Sequence, residues 1–200
     1  MTKNAPLGRG RVVEWLRAQL YRPQTSASVP WLVHRAYSGD WSPIAEGILA
    51  QAKNLDDAYG LGLFFSITCA EDMAFLREGE IAAASEDTAL RDYRVRQQQV
   101  ACRHWLKATL PAEYRTPVRS SVVPAMFSSG DLDGGSPLWF MERVASGFSN
   151  RVELIARGQG HTEWNDCLGG LYQRFVESGD VKGIDPSSCK GVPRPPFRTD

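Results

Sequence analysis

Charge of one sign is what this sequence most plainly lacks: Lys plus Arg and Asp plus Glu number 23 each in 200 residues. A balanced chain sets up no long-range field that would gather polyanions, so neither nucleic acid nor an anionic membrane is an expected partner. Long hydrophobic runs are missing as well. The longest mainly apolar stretch, residues 61–70, falls well short of the roughly 20 residues a membrane-spanning helix needs. Residues 1–22 hold no uninterrupted apolar core of signal-peptide type, so the sequence as written carries no export signal. Histidine is scarce, with three in the chain. His34 has no second histidine or acidic partner at metal-binding spacing and reads as a partly buried structural residue. A zinc site from Cys69, Cys102 and His104 is disfavoured because compact ligand pairs do not recur at finger-like spacing. No metal and no other cofactor is expected. Internal repeats and low-complexity domains are also absent.

What is present is an ordinary globular composition. A hydrophobic fraction of 42% is enough to bury a core in one large or two small domains. Four cysteines allow three pairings, and four buried thiols are the alternative.

The most informative stretch is 122–161. The apolar run Val122-Val-Pro-Ala-Met-Phe127 stops at a cluster of small and turn-forming residues, Ser128-Ser-Gly-Asp-Leu-Asp-Gly-Gly-Ser-Pro137, as a buried parallel strand would. Leu138, Met141, Val144, Ala145 and Phe148 then recur at helical spacing behind Pro137, which predicts a helix ending near Gly147. In Arg151-Val-Glu-Leu-Ile-Ala156 the residues Val152, Leu154 and Ala156 alternate with their neighbours, which predicts a strand beside the first. The unit reads as β-α-β. The glycine-rich run Arg157-Gly-Gln-Gly-His161 would deliver a histidine at the carboxyl edge of the sheet, where sites of open α/β folds gather.

Strand, Gly130-Asp-Leu-Asp133, helix, strand and Gly158-Gln-Gly-His161, in that order, resemble the closing section of an α/β-hydrolase. More narrowly, the chain resembles the C-terminal part of the secreted tripeptidyl aminopeptidase and proline iminopeptidase-like hydrolases, the TAP-like region. Thr68-Cys-Ala-Glu-Asp72, Asp92-Tyr-Arg-Val-Arg-Gln-Gln98, Ala101-Cys102 and the ending from Cys189 to Pro195-Pro-Phe197 carry the likeness further, from about Trp15 onward. The resemblance implies an α/β fold: a helical cap or lid over 1–117, then the end of a hydrolase core over 118–200. It implies Asp133 as triad acid and His161 as triad base, with Asp131 the rival acid. It also implies disulfides Cys69–Cys102 and Cys167–Cys189, and a secreted or cell-envelope location. Taken singly, these acids and the histidine read as solvated loop residues; the intervening β-α-β unit favours the triad reading.

The family's nucleophile sits on a Gly-x-Ser-x-Gly elbow ahead of the cap, and no such motif occurs here. The chain begins after that point in the family's order. The expectation is therefore a partial serine hydrolase, exo-peptidase or esterase, acting on a small peptide or ester. Two strands leave a sheet edge unpaired, so a homodimer or a complex with a separate N-terminal half is expected. A self-contained esterase with an atypical serine is the second reading. Ser128, Ser129, Ser136 and Ser66 are available for it, although none sits in an elbow. A non-catalytic binding module is the third.

The remaining expectations concern the cap. Val12, Val13, Leu16 and Leu20 predict a short helix closed by Tyr21-Arg-Pro23, and Trp31 to Tyr37 a second. Ser42 as N-cap and Pro43 open a third, with Ile44, Ile48, Ala52, Leu55 and Tyr59 on one face. Residues 60–68 fit either a buried strand or more helix. Glu71 and Asp72 could hold a substrate's α-ammonium by charge-assisted hydrogen bonds; the favoured alternative is that they occupy the first turn of a helix through Phe75 and Leu76. Residues 77–88 read as a polar loop. Residues 89–107 read as a long helix with Leu90, Tyr93, Val100, Ala101 and Trp105 inward. After His161, Trp164, Cys167, Leu168, Leu171, Tyr172, Phe175 and Val176 predict an amphipathic helix covering the last strand, followed by an extended proline-rich segment over 186–197.

Overall fold

A computed structural model describes residues 7–58 and 60–200, with side-chain environments outside 53–59. Seven helices come first: α1 (Arg9–Gln19), α2 (Pro23–Ser26), α3 (Val29–Tyr37), α4 (Ser42–Ala58), α5 (Leu61–Ile67), α6 (Glu78–Ser85) and α7 (Tyr93–Cys102). Then come β1 (Ala125–Gly130), α8 (Leu138–Ala145), β2 (Arg151–Ala156) and α9 (Asp166–Ser178). About half of the chain is helical, and the described strands form one two-stranded parallel sheet, a partial α/β arrangement. The described residues fall into two compact units. One comprises the chain up to Arg17 with His34–Tyr114; the other comprises Ala18–Val33 with Arg115–Asp200. No helix among the described residues is long and apolar enough to cross a membrane.

The first unit is helical. Ile44 of α4 is almost fully buried, and Gly47 lets the Trp15 indole of α1 lie against the α4 backbone where a Cβ would collide with it. The expected helical face of α4 is confirmed at Ile44 and half-buried Ile48, whereas Ala52 is exposed, and Leu55 and Tyr59 lie outside the described side chains. Helix entry there is set one residue before Ser42. Trp41 O accepts the first helical bond from Ala45, and the Asp40 carboxylate accepts the Ser42 N–H at 3.0 Å.

Residues 60–68, open between strand and helix, form α5, which continues into a π-helical turn, Thr68–Asp72. Glu71 and Asp72 therefore close a helical segment instead of opening one, which corrects the first-turn reading. Residues 77–88 are also not a loop. Glu78 and Glu80 supply negative charge to the first turn of α6, Glu80 accepts the Arg77 N–H at 3.2 Å, and Ile81 is buried. The expected long helix over 89–107 shrinks to α7. Upstream, Arg91 takes a left-handed φ of 50° while Thr88 Oγ1 accepts its N–H, a turn no helix can pass through. Val100 and Trp105, expected inward, are exposed.

In the second unit, β1 lies three residues later than the apolar run suggested: Val122 and Val123 are exposed, and the strand runs through Ser128, Ser129 and Gly130. Pairing decides this, because β1 and β2 are in parallel register from Ala125↔Arg151 to Gly130↔Ala156. β2 shows the expected alternation, with Val152, Leu154 and Ala156 buried. These three pack with Leu168 and Leu171 of α9 into the unit's apolar cluster. Helix α9 covers the strand as expected, but through a narrower stripe, since Trp164, Cys167, Tyr172 and Val176 are exposed. Helix α8 buries Met141 and Ala145, while Val144 faces out. Gly179, with a left-handed φ of 65°, caps α9.

Candidate active site

The acid and the histidine arise from equivalent places, just beyond the last paired residues of β1 and β2. After Gly130 the chain turns back on itself: Asp133 N–H bonds Gly130 O, and Leu132 N–H bonds Gln159 O of the neighbouring loop. Gly130 has to be glycine, because a Cβ there would run into the Gln159 and Gly160 carbonyls. This sets the Asp133 carboxylate inside the turn, 4% exposed. Its Oδ1 accepts the N–H groups of Gly135 at 2.7 Å and Ser136 at 2.8 Å.

The second loop brings His161 to the same place. Its Nδ1 lies 2.9 Å from Asp133 Oδ2 and 3.1 Å from Oδ1. A carboxylate offers only acceptors, so Nδ1 carries a proton, and in the neutral ring Nε2 is the nitrogen that keeps the lone pair. Nε2 makes no hydrogen bond among the described residues, and the imidazole is about a third exposed. The ring is held from behind by Tyr21, which stacks on it at 4.9 Å between centroids and whose carbonyl accepts the His161 N–H at 2.7 Å. A cavity of about 230 Å³ opens beside the pair; Ser128, Ser129, Ser136, Trp164 and Leu168 contribute to its wall.

Asp131, the rival acid, points elsewhere. Its Oδ1 accepts the Gly158 N–H at 2.6 Å and its Oδ2 lies 3.8 Å from Arg157 Nη1, so it braces the histidine loop from outside the cavity. Two of the candidate serines, Ser129 and Ser66, are tied to backbone carbonyls. Ser129 Oγ donates to Ser136 O at 3.2 Å, and none of the three hydroxyls near the acid bonds His161. Ser66 belongs to the other compact unit, where it donates to Gly62 O and accepts from Trp105 Nε1.

Glu71 and Asp72 also lie in that other unit, on a π turn fastened to α7 by the Cys69–Cys102 disulfide. The Tyr114 hydroxyl donates to Glu71 Oε2. Partial burial, and then repulsion from Glu71, pushes the Asp72 carboxyl above its ordinary value. The second disulfide, Cys167–Cys189, joins α9 to the segment after it. Both pairings are the ones the resemblance implied. Among the described residues no group of three or more His, Cys, Asp or Glu is arranged to hold a metal.

Sequence reasoning missed Tyr21. In the sequence it stands only as part of a helix-closing Tyr-Arg-Pro, and nothing local marks a residue whose partner lies far along the chain.

A parallel β-α-β unit with an acid after one strand and a carboxylate-bound histidine after the other matches the acid-then-histidine order of the α/β-hydrolase class. A family model described as "TAP-like protein" matches residues 87–189, just over half of the chain, and the chain belongs to that family. The match takes in Asp133, His161 and three of the four cysteines, and excludes Glu71, Asp72 and Cys69. Searches of curated proteins and of solved structures found no match.

Proposed function

We propose that this chain is the acid-and-base portion of a serine hydrolase: the closing section of an α/β-hydrolase core, 118–200, behind a mainly helical cap. Asp133 holds the His161 tautomer and stabilises the imidazolium. His161 Nε2 takes the proton from a serine hydroxyl as it attacks a peptide or ester carbonyl, then returns it to the leaving group. The observation that carries this is the buried Asp133 carboxylate on Nδ1 of a part-exposed imidazole that lines the cavity. The nucleophile and its oxyanion donors are those of a Gly-x-Ser-x-Gly elbow, a motif these 200 residues do not contain.

The test is complementation with the nucleophile-bearing portion of a TAP-like hydrolase, following an acyl ester and an aminoacyl anilide. Turnover should require both parts, and His161→Ala or Asp133→Asn should lower kcat by about 10⁴. Full turnover with His161→Ala would remove the reading. On the cap, Glu71 and Asp72 are the groups to hold a free α-ammonium, which would relieve their mutual repulsion. In the same assay Glu71→Gln should raise KM for free-amine substrates and not for blocked ones; equal effects would exclude this role. The two disulfides support an oxidising compartment and hence a secreted protein. Four free thiols by intact mass in the protein from its native location would exclude it.

A self-contained esterase is the second reading, supported by Ser128, Ser129 and Ser136 lining the His161 cavity. Turnover by this chain alone, with one of these serines labelled by a serine-directed probe, would select it.

A further inference from the structure

The loop that carries His161 is gripped from two sides, and one of the grips comes from the last segment of the sequence. Residues 190–200 have no helix or strand, yet they are fastened at three points. The Cys167–Cys189 disulfide ties their start to α9. The Val192 N–H then donates to Arg157 O at 2.8 Å, at the first residue beyond β2. Further on, the Arg198 N–H donates to Ala27 O at 3.0 Å, and its guanidinium lies 3.7 Å over the Trp31 ring, a cation–π contact.

Those last anchors are not arbitrary. Ala27 and Trp31 follow directly in sequence from Tyr21, the residue that stacks on His161 and accepts its N–H. The contacts therefore close a ring: His161 to Tyr21, along α2 to Ala27, across to Arg198, back to Val192, and through Arg157 to His161. Within that ring the histidine loop has no slack. A Cβ on Gly158 would run into the Val192 carbonyl, and one on Gly160 into the Tyr21 carbonyl. From the strap's side, a Cβ on Gly191 would come to 2.6 Å from Arg157 Cβ. Asp131 closes the remaining direction by accepting the Gly158 N–H.

We propose that residues 190–200 act as a strap that positions the His161 imidazole against Asp133, with Val192 and Arg198 as positioning residues. The proposal rests on the reading of His161 as the base. Disulfide, hydrogen bond and cation–π contact act in series, so loosening one should let the loop at residues 157–161 move away from the acid turn while the β1–β2 sheet stays formed.

The experiment follows the His161 imidazole directly, without turnover, in the full oxidised chain by nuclear magnetic resonance. The Nδ1 proton should be observable and slow to exchange in the unmodified protein. Gly191→Val, which forces the strap off Arg157, should speed its exchange by about tenfold, the equilibrium factor of one lost hydrogen bond, and should change the pH titration of the ring. Amide signals of β1, β2 and α9 should stay in place. Arg198→Ala is the milder second variant, expected to act in the same direction. Thr199→Ala, beside the anchor but without one of its contacts, should do nothing. If Gly191→Val and Arg198→Ala both leave ring-proton exchange and titration unchanged, the strap is overturned. Because the readout is the imidazole itself, an inactive or fully active His161→Ala enzyme bears on the catalytic reading alone.

Discussion

The two compact units hold their acidic residues by opposite means. In the helical unit, Glu71 and Asp72 end a π turn that continues α5, with Thr68, Cys69 and Ala70 buried, Cys69 bonded to Cys102 and Glu71 accepting from the Tyr114 hydroxyl. In the unit with the sheet, Asp133 is held by two backbone N–H groups and a histidine, on a turn set by strand pairing. Backbone bonds inside a sheet-edge turn leave a side chain little choice of place. On the π turn the two carboxylates project from a helix end, and the disulfide adds a covalent tie to α7. The difference suits the two roles proposed: proton transfer requires an acid and base fixed within hydrogen-bond distance, whereas an ammonium can be held by charge over a wider range of geometries.

Removing the staples should break the comparison most sharply. Cys69→Ala with Cys102→Ala opens a 33-residue separation and should cost roughly 3–4 kcal/mol on chain-entropy grounds. Unfolding followed by amide exchange should show this loss in α5 and α7, with the Asp133 turn still protected. Equal loss of protection at Gly135 and Ser136 would mean that the two units do not differ in this way.

Acidity sharpens it next. Glu14 is half-buried, which by itself raises its carboxyl, but hydrogen bonds and charge from Arg17 and Arg94 more than offset this and hold it below the ordinary value. A depressed carboxyl adds stability above its unfolded value and loses it as pH falls. Glu14→Gln should therefore lower Tm at neutral pH by the equivalent of about 1 kcal/mol, allowing for solvent screening, and the deficit should fade in acid. Asp72 has the opposite sign. Its raised carboxyl favours the folded state only while protonated, so Asp72→Asn should stabilise at neutral pH and lose its advantage as pH drops through the carboxylate range. Thermal melts of both variants across pH would show two curves of opposite slope; parallel curves would contradict the assignment.

The smallest expected effect belongs to the sheet unit. Gln159 is 5% exposed and its Nε2 has no hydrogen-bond partner among the described residues. Gln159→Met removes an unsatisfied amide at similar volume, and should be neutral or stabilising by up to about 1 kcal/mol. A loss of that size in a denaturant melt would mean that the amide is paired.

The sequence was most legible where pairing and periodicity agree. β2 is read correctly from its alternation because burial on one face is its whole requirement. β1 is misplaced because Val122 and Val123 look like strand and are solvent-exposed, while Ser128, Ser129 and Gly130 look like turn and are paired. What placed them was a partner strand more than twenty residues away. In the helical unit the errors run the other way. Residues 77–88 offer one buried apolar residue, Ile81, so no period could reveal α6, and its helix rests on charge and capping at Glu78 and Glu80. Asp133 and His161 were legible as types in an order. Tyr21 behind the imidazole and Val192 on Arg157 were not, because contacts between residues distant in sequence leave no local mark.

The parallel register also works as a ruler. With Gly130 opposite Ala156, the acid stands three residues beyond the last pair and the histidine five, and both distances are counted from the same line across the sheet. Length changes in the middle of α8 leave that line untouched, whereas the turn after it is fixed by Ser121, which donates to Gly147 O and accepts from the Ser149 N–H. One residue added between Gly130 and Asp133, or between Ala156 and His161, shifts one arm against the other and separates the pair. Variation in length among functional relatives should therefore fall between the strands and stop at their carboxyl ends.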